Sequence, residues 1–156
     1  RPQVVEMVAT GAGPDELLQL TASVQRASEH PLARAFMARA SDAGIELLAV
    51  GEFRSVTGQG VVGTVAGRSI AIGNAAFMAS RGVDVAPAQA AAARWQAAAR
   101  TVVFAADGRR LLGTFAIADP VRPQSVEAVR QLRAMGVKTL MLSGDAQAVA
   151  AAIGQE

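Results

Sequence analysis

Three β-rich runs follow one another with hardly any chain between them, and this limits the fold more than any other feature. They cover residues 47–56, 61–66 and 69–72, separated by Thr57-Gly58-Gln59-Gly60 and by Gly67-Arg68. Links this short join antiparallel neighbours, because a parallel crossover needs a dozen residues or more. Residues 101–106 and 110–117 repeat the arrangement across Asp107-Gly108, a strong hairpin pair. Residues 2–9 add a further short apolar run with Val4, Val5, Met7 and Val8. The expected fold up to Ala118 is α+β, an antiparallel sheet flanked by helices.

The helices announce themselves by their ends. Pro14 with Asp15 and Glu16 opens one that carries Leu17, Leu18, Leu20 and Val24. Pro31 opens a second, with Leu32, Ala33, Phe36, Met37 and Ala40 at helical spacing and Gly44 just past its end. Asn74 suits the N-cap of a short helix over 75–80 that Gly82 would stop. Residues 86–100 are Ala-rich and helical by propensity, with Trp95 read as a core or cover residue.

After Ala118 the pattern changes. A rigid Asp119-Pro120-Val121-Arg122-Pro123 loop leads to a helix over 124–134, ended by Gly136. An apolar strand over 137–142, Ser143-Gly144-Asp145 and an Ala-rich helix follow. Helix, buried strand, small-residue turn, helix is the order of a parallel α/β sheet. This predicts two domains, 2–118 and 119–156. The second, at about 38 residues, is too short to enclose a core alone, so it is expected to be a truncated part of a larger domain. The opening Arg-Pro in place of Met points the same way, to a fragment of a longer chain.

Composition removes several functions. The chain has no cysteine and one histidine, which argues against thiolate or ordinary transition-metal sites. Net charge is only +2 and aromatic residues make up 4%, so neither a basic stripe nor a stacking platform for nucleic acid is expected. No run of about 18 apolar residues is long enough to span a membrane.

Four stretches can hold a polar ligand. In Ser28-Glu29-His30-Pro31-Leu32, a carboxylate and the sole imidazole stand at a helix N-terminus, where free N–H groups collect. Pro31 favours an extended His30. The same residues also read as a plain turn leading into the helix, with an exposed histidine. Gly58 and Gly60 let backbone pass close to a ligand, or serve only as a hairpin turn. Ser143-Gly144-Asp145 stands at the carboxyl end of a strand, where α/β sheets bind ligands, or is an ordinary helix cap. Asp119 with Arg122 could orient a phosphate or clamp the interdomain loop, or form a surface ion pair of little consequence.

Taken in order, these motifs resemble the nucleotide-binding domain of heavy-metal-transporting P-type ATPases, copper-type above all. The resemblance rests on Ser28-Glu29-His30-Pro31-Leu32, Gly58-Gln59-Gly60, Gly73-Asn74, Asp119-Pro120-Val121-Arg122-Pro123 and Ser143-Gly144-Asp145. It implies that residues 119–156 belong to a haloacid-dehalogenase-like phosphorylation domain. It also implies that Glu29 and His30 recognise the adenine of ATP and that Pro31 holds them in place. Gly58, Gly60, Gly73 and Asn74 would line the same pocket, and Ser143, Gly144 and Asp145 would form the phosphate-contact loop. ATP, with Mg2+ in the whole protein, would be the cofactors. The implied partners are the phosphorylation, actuator and membrane domains of a parent pump, with no nucleic acid and no direct membrane contact. The implied place is the cytoplasmic side of an integral membrane protein.

The family's phosphorylated Asp motif, its magnesium motif and its membrane helices do not occur in these residues. Phosphoryl transfer needs a positioned acceptor and a metal ion, so ATP binding without turnover is expected of this chain alone. Two other readings are a haloacid-dehalogenase-like phosphatase fragment, which would need its own Asp-x-Asp motif, and a non-catalytic interaction module.

Overall fold

Short turns and alternating apolar residues build one six-stranded antiparallel sheet. The structure, a computed structural model, describes residues 1–120 and 123–136. The strands are β1 (Gln3–Ala9), β2 (Val50–Val56), β3 (Gly60–Val65), β4 (Arg68–Gly73), β5 (Thr101–Asp107) and β6 (Arg110–Ala118), in the order β1-β6-β5-β4-β3-β2. Every neighbouring pair is antiparallel, as the short links require.

The turns explain the registers. At β2–β3 the Gln59 N–H donates to the Val56 carbonyl (3.0 Å) with Gly58 at φ 73°, the arrangement of a type II turn. At β3–β4 the loop is Ala66-Gly67, at φ 50° and 75°, one residue earlier than the sequence suggests. Both left-handed residues fit a type I′ turn, and Arg68 pairs with Val65. β2 starts at Val50 rather than at residue 47. Leu47 and Leu48 pack on the core as irregular chain, and the Leu48 N–H donates to Ser23 Oγ (2.9 Å) instead of to a strand.

Helices cover both faces of the sheet. On one side α1 (Pro14–Gln25) and α2 (Pro31–Asp42) pack against each other and both onto the sheet, α1 chiefly on β3 and α2 on β1, so Leu17, Leu18, Leu20, Thr21 and Val24 are all buried. This core includes Val61, Val65, Ile70, Ile72 and the edge-to-face pair Phe36–Phe115, whose centroids lie 4.9 Å apart. On the other side α3 (Ala75–Ser80), a 3-10 turn (Ala86–Ala88) and α4 (Gln89–Ala97) enclose a smaller core of Val62, Ala71, Phe77, Met78, Phe104 and Leu111. The helix expected over 86–100 is a 3-10 turn with Pro87 in its first turn, followed by α4 from Gln89 to Ala97. Trp95 is 1% exposed and its indole N–H has no protein partner.

α5 (Pro123–Ala134) matches the helix expected after the loop. The predicted strand over 137–142, Ser143-Gly144-Asp145, the final helix and Arg122 lie outside the described residues. No described helix is long and apolar enough to cross a membrane.

Candidate functional site

The histidine turn is built by its own side chains. Ser28 Oγ accepts from the His30 N–H (3.1 Å), and His30 Nδ1 accepts from the Leu32 N–H (3.2 Å). His30 is thus the N-cap of α2, extended at φ −64° and ψ 141°, as a residue before proline should be. With Nδ1 accepting, the proton of a neutral ring sits on Nε2, so the exposed edge presents a donor. Glu29, His30 and Pro31 are all exposed, and the Glu29 carboxylate has no partner among the described residues.

The second half of the site is a joint between two segments distant in sequence. Gly60 pairs with Gly73 across β3–β4. The Asn74 N–H donates to the Gln59 carbonyl (3.0 Å), and Asn74 Nδ2 donates to the Gly58 carbonyl (3.0 Å). Its Oδ1 accepts from the Phe77 N–H (2.9 Å), which caps α3 as expected. A Cβ on Gly60 would lie 2.7 Å from the Phe77 ring, and one on Gly73 would lie 2.6 Å from the same atom. Close packing therefore requires both glycines, whereas Gly58 is required by its positive φ and faces open space.

α1 leads into the histidine turn. Glu16, in its first turn, bonds Arg68 at the start of β4. Val24, near its end, lies over the middle of β3, where a Cβ on Gly63 would come 3.4 Å from Val24 Cγ1. α1 crosses the sheet, with Leu17 against Gly113 of β6 and Val24 against Gly63 of β3, and the turn carrying Glu29 and His30 follows its end. No hydrogen bond or ion pair joins the two halves among the described residues. Gly73 and Asn74 meet the 58–60 turn directly. Ser143, Gly144 and Asp145 lie outside the described residues, and Asp119 is 61% exposed at its side chain.

Two features were not anticipated. Phe77 backs both glycines; its place three residues after a capping Asn was the available signal. A shallow cleft of about 270 Å³ lies on the α3 side of β2–β4, lined by Glu52, Arg54, Val62, Thr64, Ser69 and Arg81 among others. Polar residues alternating along the outer strands were its signal. At the far end of β4, Arg68 bonds Asp107 and Glu16, and those bonds, Asp107 first, raise its pKa above an already high ordinary value. Among the described residues no three His, Cys, Asp or Glu side chains cluster as metal ligands.

The sequence pattern of haloacid dehalogenase-like hydrolases matches residues 2–156. The chain belongs to that family. Its similarity to P-type ATPases is equally direct: it is 36% identical over 157 residues to "Copper-transporting ATPase 2" of Rhizobium meliloti (strain 1021), covering 100% of this chain and 19% of that protein. A solved zinc-transporting PIB-type ATPase in the E2.Pi state superposes with a TM-score of 0.83 at 29% identity, over 99% of this chain and 25% of that one. The solved N-domain of HMA6, a copper-transporting P-type ATPase, shares the fold, with a TM-score of 0.64 at 21% identity; it covers 75% of this chain and 98% of its own. The resemblance to heavy-metal P-type ATPases and the antiparallel α+β fold read from the sequence are both borne out. The chain spans about a fifth of the length of the curated relatives it matches.

Proposed function

We propose that this chain is the ATP-binding domain, with part of the phosphorylation domain, of a heavy-metal-translocating P-type ATPase. The observation that carries the reading is the single assembly of Gly58, Gly60, Gly73 and Asn74 at one end of β3 and β4. Glu29 would accept from the exocyclic amine of adenine. His30, with Nδ1 held by the Leu32 N–H, would offer its ring face or its Nε2 proton. Pro31 fixes the turn, and the bare backbone at Gly58 leaves room for the adenosine. Ser143, Gly144 and Asp145 would contact the transferred phosphoryl group.

The boundary near Ala118 is part of the proposal. Gln3 pairs with Ala118, so the sheet begins and ends on adjacent strands, and a domain with such ends can be carried within another. The solved N-domain matching three-quarters of the chain supports the same division. In the parent protein, ATP held here would be delivered to an aspartate outside these residues, with Mg2+ supplying charge neutralisation at the phosphates. The transport of a metal ion, copper foremost, and a cytoplasmic position for this domain rest on the relatives, which include copper-transporting P-type ATPases. This chain alone is expected to bind ATP without turnover.

Calorimetric titration of the 156-residue chain with ATP tests the reading. His30→Ala should weaken ATP binding at least about five-fold, the equilibrium value of one ordinary hydrogen bond, while the fold survives loss of one cap. Equal affinity in the two proteins would favour a non-catalytic interaction module. Sustained phosphate release that Glu29→Gln abolishes would refute the absence of turnover.

A further inference from the structure

Asn74 stands beside the proposed nucleotide pocket, yet its side chain is already occupied. Oδ1 accepts from the Phe77 N–H at 2.9 Å, and Nδ2 donates to the Gly58 carbonyl at 3.0 Å. Its backbone N–H donates to the Gln59 carbonyl at 3.0 Å. One residue therefore caps α3 and holds two successive carbonyls of the β2–β3 turn. The Gln59 N–H also donates to the Val56 carbonyl within the turn, whose tip residues Thr57, Gly58 and Gln59 are all exposed. Beneath it, the Phe77 ring closes the space behind Gly60 and Gly73.

We infer that Asn74 is a positioning residue, one that fixes the Gly58–Gly60 backbone in its ligand-receiving shape and does not itself touch the nucleotide. The inference rests on the ATP-binding reading for its consequence, but the tether is a property of the protein without ligand. An amide is needed because the two bonds require an acceptor and a donor on one short side chain. Aspartate caps helices about as well as asparagine and has no donor, and serine caps as well but carries a single O–H on a side chain one bond shorter. They separate the tether from the cap.

The test uses the 156-residue chain with Asn74→Ser and Asn74→Asp, compared with the unaltered protein by amide hydrogen exchange and by ATP titration. Helix α3 and the urea midpoint should stay close to the original, since the cap acceptor remains. The Gln59 amide should exchange roughly five-fold faster, the factor for one ordinary hydrogen bond, and ATP affinity should fall by a similar factor. Unchanged exchange at Gln59 in both variants would overturn the tether. Faster exchange with unchanged ATP affinity would overturn its role in positioning. A loss of affinity beyond about a hundred-fold with Gln59 still protected would mean that Asn74 contacts the nucleotide, and would overturn the assignment too. If the unaltered chain bound no ATP, the functional reading would fail while the exchange comparison still decided the tether.

Discussion

Gly58 and Gly60 differ by one residue and should differ widely in what alanine does to them. A Cβ on Gly60 would lie 2.2 Å from the Ile72 carbonyl oxygen, 2.7 Å from Phe77 Cδ2 and 2.8 Å from Gly73 Cα. Two of these three neighbours are backbone and cannot rotate away. β3 and β4 would have to part by roughly 1 Å at their paired ends, an overpacking that costs about 3 kcal/mol or more. A Cβ on Gly58 meets nothing within 4 Å, so Gly58→Ala suffers only the left-handed φ of 73°, about 1 kcal/mol. With a urea slope of about 2 kcal/mol/M, the two midpoints should stand roughly 1 M apart. The sole tryptophan, Trp95, is 1% exposed and supplies the fluorescence signal for the melts. Equal midpoints, or a greater loss at Gly58, would refute the close-packing account of Gly60.

Three further outcomes follow from the same structure. Arg68→Met should destabilise by about 1 kcal/mol, less in high salt, because Arg68 and Asp107 are partly exposed and Glu16 nearly half exposed; urea melts at two salt concentrations check this. A raised arginine pKa means that this contribution is fully present below the ordinary arginine value and is lost only as pH climbs past the folded one, so Arg68 should add no pH dependence across the neutral range. Ala99 sits at φ 62° just after α4, where the Arg100 N–H closes back on the Trp95 carbonyl, so Ala99→Gly should raise stability by about 1 kcal/mol in thermal melts. Trp95→Phe should cost under about 2 kcal/mol by circular dichroism, less than an ordinary large core truncation, because it also removes a buried unpartnered N–H.

Much of this molecule is legible from local rules. The hairpins at 58–60 and 107–108, the caps at His30 and Asn74 and the stop at Gly44 depend on single residues whose backbone preferences are strong. The start of β2 was not legible, because Leu47 and Leu48 have strand-like side chains but find their partner in Ser23 of α1. Nor was the split of the segment 86–100 into a 3-10 turn and α4, because Ala-rich propensity favours both alike. For the candidate site, the sequence marks Glu29, His30, Gly58, Gly60, Gly73 and Asn74 as special. It does not reveal that Asn74 spends its amide on the protein, or that Phe77 lies behind both glycines. Those facts belong to the packing of α3 and the 58–60 turn against the paired ends of β3 and β4, which the local pattern does not carry.

The central claim is that the histidine turn and the glycine turn face one adenine. Titrating ATP into the isotopically labelled chain and following backbone amide resonances measures this directly. The account predicts that Glu29, His30, Gly58, Gln59 and Gly60 shift together along a single saturating curve. Shifts confined to the Arg54–Arg81 cleft, or to one turn without the other, would contradict it.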